Sequence, residues 1–74
     1  MADPSSARHC DASRASPMLG EPTSTQTQER ARVAANAQVV RVLVQGQPIT
    51  KEYRVGRLNL VVDGGGRIVS IHCG

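Results

Sequence analysis

The chain of 74 residues has no phenylalanine, no tryptophan and a single tyrosine, Tyr53. An aromatic core is therefore excluded, and so is a platform of stacked aromatics for single-stranded nucleic acid. Lysine is almost as scarce, Lys51 standing alone among nine basic residues. The arginines (Arg8, Arg14, Arg30, Arg32, Arg41, Arg54, Arg57 and Arg67) are scattered without a basic run. A net charge of +3 on its own thus gives a weak reading, a small basic module for nucleic acid or acidic surfaces. Steeply salt-dependent binding to DNA would be its signature. No apolar stretch approaches the length of a membrane span, and no membrane partner is expected. The N-terminus lacks the apolar centre of a signal peptide, so an exported protein would be represented by its mature form. No Ser/His/Asp constellation and no cofactor loop can be read, so neither an enzyme nor a cofactor is expected.

What remains for a core is Val, Leu, Ile and Ala, in a chain long enough for one domain only. A domain of this size buries about 60% of its unfolded surface and is marginal without a staple. Two cysteines, Cys10 and Cys73, lie near opposite ends. In an oxidising compartment they read as a disulfide. His9 and His72 adjoin them and raise a metal site. Zinc ligands usually come in pairs spaced two to four residues apart on a turn, whereas neighbours on an extended chain point to opposite faces. No metal is expected.

Residues 1–9 are mostly small and polar, without periodicity, and predict a flexible tail. Between Cys10 and Gly20 a short helical turn is expected to pack Met18 and Leu19 inward. Thr23-Ser24-Thr25-Gln26 has the Thr-x-x-Gln form of a capping box, which predicts a helix beginning at Thr23. Thr27, Ala31, Ala34 and Ala35 would share its inner face, and Asn36, tolerant of the left-handed conformation, would stop it. Gln38–Val44 is rich in β-branched residues and predicts a strand with Arg41 outward and Val40, Val42 and Val44 inward. Leu58–Val62 predicts another, with Asn59 facing away from Leu58, Leu60 and Val62. Asp63-Gly64-Gly65-Gly66 then predicts a hairpin into Arg67–Ile71. No helix follows these glycines to present N–H groups to a phosphate.

Between the first two strands lies a long polar connection, and long ordered loops in compact domains are usually functional. A single lysine on a constrained, extended segment is what the anionic pocket of a trypsin-like protease selects. Thr50 and Glu52 flank that lysine and Tyr53 follows. Arg57 and Arg54 carry guanidinium forks able to donate to Thr50 and to the Glu52 carboxylate from beneath.

Thr50-Lys51-Glu52-Tyr53-Arg54 with Arg57, Leu58, Leu60 and Asp63 resembles the reactive loop and following strand of the potato inhibitor I type of serine protease inhibitor. Cys10-Asp11-Ala12, Leu19-Gly20, Val40-Arg41-Val42, Arg57-Leu58-Asn59 and Cys73-Gly74 are closer to a disulfide-closed bacterial and fungal branch that includes a fungal elastase inhibitor. The resemblance covers about residues 10–74 and implies a single inhibitor domain there. Its fold would be α+β, one helix packed on a small sheet with a parallel strand pair, an exposed reactive loop and a C-terminal hairpin. The implied scissile bond is Lys51–Glu52, within a protease-binding loop of Gly46, Gln47, Pro48, Ile49, Thr50, Lys51, Glu52, Tyr53 and Arg54. Arg54, Arg57 and Asn59 would brace it, Asn59 standing where plant members commonly carry a second arginine. The implied partner is a trypsin-like, and also a subtilisin-like, serine protease met by a secreted or periplasmic monomer.

Overall fold

The computed structural model describes residues 9–48 and 52–74. The tail expected over residues 1–9 lies, apart from His9, outside those residues, as do Ile49, Thr50 and Lys51. In chain order come a 3₁₀ segment Ala12–Met18, helix α1 (Thr25–Ala34) and three strands, β1 (Val39–Val44), β2 (Arg57–Val62) and β3 (Ile68–Cys73). They form one sheet in the order β1-β2-β3. β1 and β2 are parallel, with Val40 opposite Leu58, Val42 opposite Leu60 and Val44 opposite Val62. β2 and β3 are antiparallel, as a hairpin requires. This is the expected α+β architecture, and the long loop that joins the parallel pair holds no crossover helix among its described residues.

The helix begins two residues later than the capping box predicts. Ser24 is the N-cap, its Oγ accepting the Thr27 N–H at 3.1 Å. The Thr23 hydroxyl is committed elsewhere, donating to the Gly66 carbonyl at 2.8 Å. Pro22 forms a bridge with Arg67, so the chain before α1 runs along the start of β3. The Ile68 N–H donates to Glu21 O, and the Gly20 N–H to Ile68 O. That pairing satisfies part of an edge that would otherwise be open. Asn36 ends the helical stretch in the left-handed region, φ 58°, as its tolerance of that conformation allows.

Ala31 and Ala35 are fully buried and Thr27 nearly so, while Ala34 is half-buried. These small residues let α1 pack closely on the 3₁₀ segment and β1, around a core in which Leu58, Leu60 and Val62 of β2 join Ala15, Met18, Ala37 and Ile68. Leu19, expected inside, is 48% exposed, since the chain leaves the 3₁₀ segment at Met18. β1 is the other departure. Val40, Val42 and Val44 do share the helix-side face, but only Val40 packs on the core. Val42 and Val44 are 39% and 37% exposed. The helix packs on the 3₁₀ segment and on β1, and along β1 only Val40 is drawn onto the core.

After β2, Asp63 Oδ1 accepts the N–H groups of Gly65 at 2.9 Å and Arg67 at 3.0 Å. This aspartate turn, with Gly66 at φ 81°, reverses the chain into β3.

Candidate functional site

The long loop leaves β1 at Val44 and returns at Arg57, and both ends are tied to the sheet. On the outgoing side the Gln45 N–H donates to Val62 O at 2.7 Å and the Gln47 N–H to Val44 O at 3.2 Å. Gly46 makes this bend with φ 86°. On the returning side Gly56 is buried, and its carbonyl accepts the Gln38 N–H at 2.8 Å. The segment Glu52–Val55 between is exposed, as a docking segment has to be.

Arg57 opens β2 and reaches back under that segment. Its Nη2 donates to the backbone carbonyl of Glu52 at 2.7 Å and to the Gly74 oxygen at 2.7 Å, and its Nε donates to the same Gly74 oxygen at 3.1 Å. Thr50, one of the two expected acceptors, lies outside the described residues, and at Glu52 the guanidinium meets the backbone carbonyl in place of the expected carboxylate. A carbonyl is fixed in the chain, whereas a carboxylate on two methylenes is not. Arg54 contributes, among the described residues, through its backbone N–H, which donates to Gly74 O at 3.0 Å. The Gly74 N–H in turn donates to Arg57 O at 2.9 Å.

Gly74 is therefore the hub of the returning side, and no sequence signal beyond its place after Cys73 marks it. A Cβ added there would stand 3.1 Å and 3.2 Å from Cδ2 and Cε2 of Tyr53. The ring thus lies across the glycine with 74% of the residue still exposed. Asn59, the third expected brace, is on the sheet face away from α1 and is 1% exposed. Its Oδ1 accepts Arg41 Nε at 2.8 Å and its Nδ2 donates to His72 O at 3.3 Å.

The disulfide joins Cys10 to Cys73 with a Cα–Cα distance of 6.0 Å across 63 residues of sequence. Both sulfurs are thereby removed from metal ligation. The bridge links the segment before the 3₁₀ turn to the residue preceding Gly74. That segment is itself fixed on α1, since the Asp11 N–H donates to Ala35 O at 2.8 Å.

Asp11 caps the 3₁₀ segment, accepting the Ser13 hydroxyl at 2.6 Å and the Ser13 N–H at 3.1 Å. The Ser13 hydroxyl bond is the main cause that holds its carboxyl below the ordinary 3.8; slight desolvation opposes it, and the Ser13 N–H and the Arg14 and His9 charges add to it. Glu29 is lowered in the same direction, chiefly by its hydrogen bond from Arg32. A depressed folded value means stability that is present above the unfolded value and is lost as pH falls through the folded one. Urea denaturation from pH 6 to pH 2 is thus expected to show the gap between wild type and Asp11→Asn closing below about pH 4. A gap independent of pH would refute the cap's contribution.

A family model for the peptidase inhibitor I78 family matches residues 10–74. Among solved structures, the elastase inhibitor AFUEI in its crystal form II is similar at a TM-score of 0.62 and 33% identity, over 77% of this chain and 78% of that one. No curated protein matches. Of the two likenesses seen in the sequence, these matches carry the one to the disulfide-closed branch with its elastase inhibitor. With its loop held at both ends against a disulfide-closed sheet, and the match running from the first cysteine to Gly74, the chain belongs to the peptidase inhibitor I78 family.

Proposed function

We propose that the protein is a reversible, substrate-like inhibitor of serine proteases, with Lys51 entering the specificity pocket and Lys51–Glu52 as the scissile bond. The observation that carries this reading is the Arg57 guanidinium, which ties the Glu52 carbonyl to the sheet and to Gly74. When a protease serine attacks the Lys51 carbonyl, the Glu52 nitrogen leaves as an amine. In an ordinary substrate that amine diffuses away and water completes the reaction. Here the leaving segment is held by Arg57 at Glu52, by the Arg54 N–H on Gly74 and by the Tyr53 ring over the same glycine. The amine stays beside the acyl carbon and religation competes with water. Pre-ordering also lowers the entropy lost on docking, which favours tight binding over a small contact area.

The pocket of elastase is small, that of trypsin anionic. A long cationic side chain at position 51 therefore directs this chain to trypsin-like enzymes, whatever the name of the elastase inhibitor it resembles. Subtilisin-like enzymes would be reached through backbone contacts. A lone disulfide in so short a chain suits an oxidising compartment, so we assign a secreted or periplasmic place of action to a monomer.

The test is stoichiometric titration against trypsin, chymotrypsin and subtilisin, with mass spectrometry of the complexes for a cut after residue 51. Arg57→Ala is expected to fold and to lose about 1.5–3 kcal/mol of inhibition, the range of a hydrogen bond from a charged donor. That is roughly ten- to a hundredfold in the inhibition constant, with faster cleavage at Lys51–Glu52. Undiminished inhibition by Arg57→Ala would remove the brace from the mechanism.

A further inference from the structure

Among the described residues, every arginine but one has a partner for its guanidinium. Arg14 stands 3.6 Å from Asp11 and Arg30 3.5 Å from Glu21. Arg32 donates to Glu29 and Arg67 to the Gly20 carbonyl. Arg41 donates to Asn59, and Arg57 to Gly74 and the Glu52 carbonyl. The exception is Arg54, which is exposed and whose guanidinium meets neither the Glu52 carboxylate expected from the sequence nor any other acceptor among the described residues. Its backbone is the reverse. The Arg54 N–H donates to Gly74 O at 3.0 Å, and the Arg54 carbonyl accepts the Arg57 N–H at 3.3 Å. Any residue except proline would supply those two groups, so the place in the fold makes no demand for a long cation. It lies three residues after Lys51, on the leaving side of the Lys51–Glu52 bond.

We infer that Arg54 is a specificity residue, its guanidinium binding a carboxylate on the rim of a trypsin-like protease's cleft, on the side where the leaving segment lies. The inference rests on the inhibitory reading proposed above. It separates two tasks between arginines. Arg57 spends its donors inside the inhibitor and decides whether the new amine stays in place. Arg54 keeps its donors for the enzyme and decides how fast, and to which enzyme, the loop docks. A guanidinium fork matches a carboxylate with two parallel hydrogen bonds. An exposed charge at the rim of an interface acts mainly on the encounter rate and its salt dependence. Lys51 and Arg54 also set two cations against the single acid Glu52 along the docking segment, which favours enzymes with an acidic surface around the cleft.

Association kinetics with trypsin for Arg54→Gln, Arg54→Lys and Arg54→Glu, over a range of salt, test the inference. Lys51 is common to all three, so its own attraction cancels in the comparison. Arg54→Gln is expected to associate about two- to fivefold more slowly than wild type at low salt, the size of an exposed ion pair. The gap should close as ionic strength rises from about 0.01 M to about 1 M, where the Debye length falls from about 30 Å to about 3 Å. Arg54→Lys should keep most of the rate, and Arg54→Glu should lose more than Arg54→Gln. Neutralising the carboxylates at the leaving-side rim of trypsin should remove the gap. Thermal unfolding and the rate of Lys51–Glu52 cleavage in the complex should not move, the opposite split from Arg57→Ala. A gap that ignores salt, faster cleavage in Arg54→Gln, or equal association of Arg54→Gln and wild type would each overturn the inference and leave the inhibitory reading standing. A wild-type protein that fails to inhibit trypsin would overturn that reading, and this inference with it.

Discussion

Replacing Lys51 with alanine is expected to abolish trypsin inhibition and to leave the fold intact. The residue that fills a protease specificity pocket is the hot spot of such an interface, and truncation of a hot spot costs from about 2 up to 4–8 kcal/mol, the upper end belonging to a charge that fills its own pocket. The inhibition constant should therefore weaken by about a thousandfold or more. Thermal unfolding should be unchanged, because the core among the described residues is built from the 3₁₀ segment, α1 and the turn after it, β2 and β3, with no member from the described part of the loop. Lys51→Leu separates specificity from scaffold. With the braces at Arg57, Arg54 and Gly74 retained, it should inhibit chymotrypsin or subtilisin in place of trypsin. Trypsin titration of the folded Lys51→Ala protein is the check, and full inhibition there would move the contact to another residue.

Removing the disulfide is expected to have the largest effect on stability. The bridge closes a loop of 63 residues, which in the chain-entropy account corresponds to about 4 kcal/mol. A domain of this size has a total stability of about 5 kcal/mol. The double variant Cys10→Ser, Cys73→Ser should consequently melt roughly 20 °C lower, at 4–8 °C per kcal/mol for a small domain. Function should suffer before the fold is lost. Cys73 immediately precedes Gly74, so the end of β3 and the hub of the leaving segment are released together. At a temperature where the double variant is still folded, it should be cleaved by trypsin faster than the oxidised protein. Calorimetry with and without reductant tests the first expectation, and equal melting temperatures would refute it.

The elements were legible in the sequence because each carries its own period. The valine-rich runs on either side of the loop predict β1 and β2, and Asp63 with three glycines predicts the hairpin. Asn36 predicts the helix stop, which its φ of 58° fulfils. Misplaced expectations fall where distant contacts override a local preference. Thr23 looks like a helix cap, but pairing of its neighbours with the start of β3 turns its hydroxyl to Gly66 and leaves the cap to Ser24. Val42 and Val44 have the same period as Val40, yet they lie on an edge strand beyond the cover of α1.

For the site the division is similar. The sequence by itself determined that one lysine stands in a long polar loop between two apolar strands, with Arg57 just beyond it and a cysteine near each end. Those are properties of order and spacing. Which groups meet was decided by the tertiary structure alone. Parallel pairing sets Arg41 opposite Asn59, and the antiparallel return of β3 delivers Gly74 beneath Tyr53 and Arg57. Arg57 and Gly74 are 17 residues apart, Arg41 and Asn59 18, so no local periodicity relates either pair. Only strand register brings them within hydrogen-bond reach, and register is fixed by burying Leu58, Leu60 and Val62 in the core with residues of the 3₁₀ segment and α1.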